Sequence, residues 1–100
     1  MLAAASKREV LVRMLRNLKS IYLNQGGHGK ALAVADRIIA LVPRAADEYR
    51  DRGRLYLELE CFRAALADFQ SYLLLNPEAE DAGEVRRKTA ELQQLAARLN

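Results

Sequence analysis

The chain repeats itself with a period of about 34 residues. Tyr22 falls on Tyr56, Leu23 on Leu57 and Ala31-Leu32-Ala33 on Ala65-Leu66-Ala67. Leu41 falls on Leu75, Pro43 on Pro77 and Arg16 on Arg50. This register constrains the fold more than composition does. Each copy is one supersecondary unit that cannot bury its apolar face alone, so the copies must stack.

Each copy reads as a pair of helices. Ser6-Lys7-Arg8-Glu9 fits a capping box, with the Ser hydroxyl accepting the Glu9 amide and the carboxylate reaching back. Leu11, Met14, Leu15, Leu18, Ile21 and Tyr22 then recur at three and four, which predicts an amphipathic first helix with one buried stripe. Gly26 and Gly27 stop it near Gln25. The second helix is expected from His28 or Gly29 to Leu41, with Ala31, Leu32, Ala35, Ile38, Ile39 and Val42 inward, and Pro43 ends it. The third runs from Ala46 or Asp47 to about Leu59, burying Tyr49, Leu55, Tyr56 and Leu59. Its early Asp47 and Glu48 complement the helix dipole, and Gly53 within it marks close packing. The fourth, Phe62 to Leu75, buries Phe62, Ala65, Leu66, Phe69, Tyr72 and Leu73, and Asn76-Pro77 closes it. After an acidic linker, a fifth helix is expected from about Ala82 to Leu99 on a stripe of Val85, Leu92, Leu95, Ala96 and Leu99.

Composition agrees: Ala and Leu dominate, Trp is absent, and Val, Ile and Thr are sparse, which favours helix over strand. At 100 residues the chain holds one domain at most. No apolar run is long enough to span a bilayer, and Met1 to Lys7 lacks the pattern of a secretory leader. A single cysteine, Cys61, excludes an intramolecular disulfide framework. These absences point to the cytoplasm and away from membranes. The charge is two-ended. Up to Ala45, Lys7, Arg8, Arg13, Arg16, Lys19, Lys30, Arg37 and Arg44 face only Glu9 and Asp36, and beyond it acids outnumber bases.

The second copy carries further signals: Tyr49-x2-Arg52-Gly53-x2-Tyr56, Ala65-x3-Phe69 and Pro77. This order and spacing resembles the tetratricopeptide repeat, with Tyr in place of Trp and Arg52 in place of Leu. The first copy departs more, with Leu15 at the Trp position, Lys19 at the Gly position and Ala35 at the Phe position. Ala35 implies thinner packing there unless a neighbour fills the space. The resemblance implies an all-α, right-handed superhelix of two helix hairpins plus a C-terminal capping helix. Repeat 1 is expected over about 12–45, repeat 2 over about 46–79 and the cap over about 82–99, within one domain spanning 1–100. A narrower likeness, carried by Arg13–Lys19, Lys30–Val34, Arg50–Gly53 and Phe62–Asp68, is to the C-terminal repeat region of bacterial proteins with a transglutaminase-like domain. Any catalytic chemistry of such proteins would lie outside this chain.

In that fold the first helix of each pair lines a concave groove. Arg13, Arg16, Ser20 and Asn24 lie on one polar strip, and Asp47, Arg50, Arg54 and Glu58 are their repeat equivalents. Arg16, Arg50 and Arg54 can grip a carboxylate through two-pronged hydrogen bonds, with Leu23 and Leu57 adding apolar contact. The same arginines can instead pair with Asp47, Asp51 and Glu58. Some relatives clamp a C-terminal carboxylate with Lys and Asn. The matching positions here hold Arg16, Ser20 and Asp51, and Asp51 would repel a carboxylate, so no such clamp is expected.

Catalysis has little support. A thiolate nucleophile needs a base and an orienting group, and the chain has one Cys and one His. Cys61 reads as a helix-start residue and His28 as a half-buried plug where repeat 2 has Phe62, although both lie near inter-helix turns. No metal cluster, phosphate loop or dinucleotide fingerprint appears, so no cofactor is expected. Three readings follow: a non-catalytic module binding a protein or acidic peptide, an accessory domain of a transglutaminase-like enzyme acting in cis, and a weak nucleic-acid binder. The last is weakest because acids interrupt the basic track. Two repeats and a cap are few for a continuous core, so the open N-terminal face is expected to dock on another domain or to self-associate weakly.

Overall fold

The computed structural model describes residues 5–99. Among them the chain forms five helices and no strand: α1 (Lys7–Asn24), α2 (His28–Leu41), α3 (Ala46–Glu58), α4 (Phe62–Leu75) and α5 (Ala82–Leu99). The first residues, on which the leader expectation partly rests, lie outside that description.

Local chemistry sets the helix ends. Ser6 Oγ accepts the Glu9 amide at 3.0 Å, which satisfies one of the free donors of the first turn. α1 closes in a Schellman turn, with Gly26 at φ 73°. The Gly27 amide donates to the Tyr22 carbonyl at 2.7 Å and the Gly26 amide to Leu23 at 3.1 Å. One repeat later α3 ends the same way. Glu60 takes the left-handed position at φ 58°, and the Cys61 amide donates to the Tyr56 carbonyl at 2.8 Å. α2 and α4 stop at Pro43 and Pro77, which offer no amide to continue a helix. The Pro43 carbonyl accepts the Tyr49 hydroxyl at 2.8 Å, and the Pro77 carbonyl accepts Arg86 at 3.0 Å.

Each helix packs on its sequence neighbours: α1 on α2, α2 on α3, α3 on α4 and α4 on α5. The result is an elongated stack of 55 × 31 × 20 Å with a radius of gyration of 14.9 Å, above the about 13 Å of a compact globule of this length. Sequential packing of this kind is what a repeat array requires.

Gly53 and Phe69 organise the second hairpin. A Cβ on Gly53 would lie 2.8 Å from the Phe69 ring, so only Gly lets the ring lie flat on α3. Phe69 joins Ala65, Tyr72, Val85 and Leu92 in the largest buried cluster. In the first hairpin Val12, Leu15, Val34 and Ile38 form a separate cluster. Ala31 and Ala35, both fully buried, meet Leu55 of α3. Lys19, at the register of Gly53, is only 6% exposed. The long Lys stem is therefore buried in the hairpin where Ala replaces Phe.

The expected burial needs correction in α1. Its buried residues are Val12, Leu15 and Lys19, whereas Leu11, Met14, Leu18 and Ile21 are exposed. The helix carries two apolar stripes, and α2 covers only one. Leu59 is also exposed, because the chain is already turning out of α3 there. In α5 the buried residues are Ala82, Val85, Thr89 and Leu92, while Leu95 and Ala96 are half-buried. The side chain of Leu99 lies outside those described.

Candidate peptide groove

α1 and α3 both pack on α2 but share no close backbone contact. Side chains bridge the gap. Lys19 Nζ donates to Glu48 Oε2 at 2.6 Å and Oε1 at 2.9 Å, and to Asp51 Oδ2 at 3.3 Å. Arg16 Nε donates to the same Glu48 Oε1 at 3.3 Å. Both Lys19 and Glu48 are buried, so each needs the other: a buried charge without its partner is strongly destabilising.

The same stitch recurs one repeat later. Arg50 reaches Asp81, just before α5, at 3.4 Å. Its guanidinium also contacts Asp51 at 3.3 Å, lies 3.8 Å from Asp47 and sits over the Tyr72 ring. The Tyr72 hydroxyl donates to Asp81 in turn. Burial alone would lower the Arg50 pKa, but Asp51, the Tyr72 hydroxyl and Asp47 outweigh it and hold it above its ordinary value. The Tyr72 hydrogen bond, helped by Arg50, holds Asp81 below the usual carboxylate range against the opposing effect of burial. Burial, reinforced by the bond to Asp81, pushes the Tyr72 phenol up.

A second stitch passes through Arg52, which stands where the repeat pattern has Leu. It forks onto Asp68 of α4 at 2.8 and 2.7 Å and reaches Asp36 of α2 at 2.9 Å. The Asp68 hydrogen bonds overcome burial and raise its pKa. Lys19 and Arg52 were visible in the sequence only as departures from the repeat pattern. Each proves to hold a buried carboxylate, a pairing that no local spacing reveals.

These pairs sort the expected groove residues. Arg50 is committed to four neighbours. Arg16 holds Glu48 but remains about half exposed, and Arg54 touches Asp81 only at 3.9 Å and is exposed. Arg13, Ser20, Leu23, Asn24, Asp47 and Glu58 are exposed. Leu23, Arg54 and Glu58 come together around a hollow of about 410 Å³ between the distal halves of α1 and α3, with His28, Asp51 and Leu55 completing its lining. Sequence reasoning had met Asp51 only as a partner for the arginines and a bar to a carboxylate clamp, and had not placed His28 there. Arg13 and Arg16 border a separate hollow of about 350 Å³ with Arg8, Glu9, Val12 and Val42. Leu57 does not join Leu23. It packs on the Phe69 cluster and lines a cleft towards α5. Cys61 borders another surface, with its thiol directed to the Leu59 carbonyl, so His28 and Cys61 do not line one site. Among the described residues no group of His, Cys, Asp and Glu is arranged to hold a metal, and no helix is long and apolar enough to cross a membrane.

Stacked hairpins, a glycine–aromatic contact inside the second, and a stitched face between α1 and α3 define a helical repeat protein. The tetratricopeptide repeat family matches residues 18–90, and the chain belongs to that family. Among curated proteins it is 42% identical over 88 residues to a UPF0162 protein of Xylella fastidiosa, covering 88% of this chain and 31% of the relative. A UPF0162 protein of Pseudomonas aeruginosa is 33% identical over 91 residues, covering 91% and 34%. Protein SirB1 of Salmonella typhimurium is 34% identical over 74 residues, covering 74% and 28%. The chain thus spans about a third of the length of the curated relatives it matches. Repeats of this family generally mediate protein–protein contacts, and their fold is typically non-catalytic.

Proposed function

We propose that the chain is a non-catalytic interaction module that takes an acidic peptide, or a loop of a neighbouring domain, across the face shared by α1 and α3. The observation that carries this reading is the hollow lined by Leu23, His28, Asp51, Arg54, Leu55 and Glu58. It offers an apolar floor with a little-committed Arg54 beside two carboxylates, Glu58 and an Asp51 already paired with Lys19 and Arg50. The exposed strip of Arg13, Arg16, Ser20 and Asn24 runs along α1, the helix that carries Leu23. Arg13, Arg16 and Arg54 are the ligand-facing cations, and Arg50 serves the scaffold. α5 closes the array as a cap, with a polar outer face. The exposed free thiol of Cys61 suits a reducing cytoplasm.

The test uses an acidic peptide of about ten residues containing prolines that bar helix formation, with its Lys-for-Glu counterpart as control. Titrated calorimetrically, the acidic peptide alone should bind. Arg13→Ala with Arg54→Ala should weaken it roughly tenfold, with the helical circular dichroism unchanged. Unaltered affinity in that double variant would show the groove assignment to be wrong.

A second reading rests on the length of the relatives. In it the chain is the accessory part of a larger protein whose other portion, by the narrower sequence likeness, is transglutaminase-like. It would position that portion in cis. Deleting the matching third from the Xylella relative and finding the remainder equally stable and equally soluble would remove its basis. Nucleic-acid binding has the least support, since Arg50 and Arg52 are already held by carboxylates. Retention on duplex DNA at physiological salt would revive it.

A further inference from the structure

The exposed stripe of α1 is an apolar feature of the surface that the groove does not use. Leu11, Met14, Leu18 and Ile21, with Leu15 and Asn17, line an almost wholly apolar shallow hollow of about 390 Å³. The repeat register says what such a face is for. One period on from Met14, Leu18 and Ile21 stand Glu48, Arg52 and Leu55. Met14 is 61% exposed and Glu48 3%, and Ile21 is 50% exposed and Leu55 3%. The preceding hairpin covers that second face: Lys19 of α1 holds Glu48, Asp36 of α2 holds Arg52, and Ala31 and Ala35 of α2 meet Leu55. Two periods on, Ala82 and Thr89 of α5 occupy the register of Met14 and Ile21 and are buried. The same helix face is therefore covered by a helix in both later copies and bare in the first. Where repeat 2 presents charges to its cover, this face presents Met14 and Leu18, so its cover must be apolar along the contact.

Charge then selects the occupant. Lys7 lies in line with the stripe at one end of α1. Lys30 lies over the Tyr22 ring, 5.7 Å from its centroid, at the other. Glu9, the one acid of α1, lies on the opposite side of the helix, beside Arg13 on the groove face. A second copy docked in either direction brings Lys7 against Lys7 or against Lys30, and like charges across an interface are unfavourable. We infer that this face is a docking site for an amphipathic helix of another polypeptide, with an apolar stripe flanked by Glu or Asp. Apolar burial supplies the attraction, and the carboxylates meet Lys7 and Lys30 at the two ends. The inference is independent of the groove, which lies on a different side of α1.

The probe is a fluorescein-labelled peptide of about 18 residues, with leucines at helical spacing and flanking glutamates. A control peptide keeps the leucines and carries lysines instead. Anisotropy with the full chain should show binding of the Glu peptide, at least about tenfold weaker binding of the Lys peptide, and weakening at roughly 0.5 M salt. Met14→Glu and Leu18→Glu should each lower the affinity about tenfold or more without lowering the melting temperature, because both side chains are exposed. Arg54→Ala should leave it unchanged. Equal binding of the two peptides, no binding of either, or indifference to Met14→Glu would overturn the proposal. So would sedimentation showing a dimer that Met14→Glu dissolves, which would assign the face to a second copy.

Discussion

The two hairpins solve one packing problem in opposite ways. In α3/α4 the helix contributes nothing at Gly53, and Phe69 of its partner fills the space. In α1/α2 the partner contributes only Ala35, and the helix brings Lys19, buried along its length with its ammonium on Glu48 and Asp51. Large and small have exchanged sides. The exchange has a consequence beyond volume, because a buried Lys needs a carboxylate, and that carboxylate comes from the next repeat. The first hairpin is thus bound to the second by charge beside the small contact of Ala31 and Ala35 with Leu55, and the second to α5 mainly by its apolar cluster around Phe69.

This contrast orders the perturbations. Phe69→Ala should cost about 3–5 kcal/mol in denaturant unfolding, since it empties the largest cluster, whereas Ala35→Gly in the first hairpin should cost only about 1 kcal/mol. Similar losses at both positions would break the contrast. Glu48→Gln should cost about 3 kcal/mol because Lys19 is left with the half-buried Asp51. Lys19→Met in that background should restore most of the loss. If the single and double variants are equally unstable, the ion pair is not what joins the hairpins. Gly53→Ala should cost about 1–3 kcal/mol through the clash with the Phe69 ring.

Smaller effects come from the turns and from pH. Gly26 and Glu60 take the same left-handed conformation, which suits only the first. Glu60→Gly should therefore stabilise by about 0.5–1 kcal/mol, and Gly26→Ala should destabilise by about 1 kcal/mol, read from melting curves. At the α3–α5 stitch the Tyr72 phenol is raised, so its contribution is complete below the ordinary phenol range and is lost as pH rises through its folded pKa. Asp81 is lowered, so its contribution is present above the usual carboxylate range and is lost as pH falls through its own folded pKa. Burial raises the Tyr56 phenol as well, so an alkaline absorbance titration should show two late-ionising phenols, and Tyr72→Phe should remove one of them and leave the other. An unchanged number of late-ionising phenols in that variant would show that Tyr72 is not one of them.

The helices were legible because their punctuation is local. Ser6 with Glu9, the Gly26 turn, Pro43 and Pro77 act on the backbone within a few residues, and the internal period fixes which helices pair. Burial in α1 was less legible. Val12, Leu15 and Tyr22 form one stripe and Leu11, Met14, Leu18 and Ile21 another. Both have helical spacing, and only the position of α2 decides between them. The groove was legible as a polar strip but not as a surface. Arg50 and Arg54 look alike in sequence, yet Asp81 and Tyr72, far along the chain, commit one and leave the other largely free. His28 entered the hollow through the turn between α1 and α2, which helical spacing does not describe.

The reading that an extended acidic peptide takes the groove face of α1 and not its outer stripe is tested most directly by side-chain NMR during titration with the proline-containing acidic peptide. The Leu23 and Leu55 methyl signals and the Nε–H signals of Arg13 and Arg54 should move together. The Met14 and Ile21 methyls should stay in place. Movement confined to Met14 and Ile21, with Leu23 and Arg54 unchanged, would contradict the account and shift peptide binding to the outer stripe.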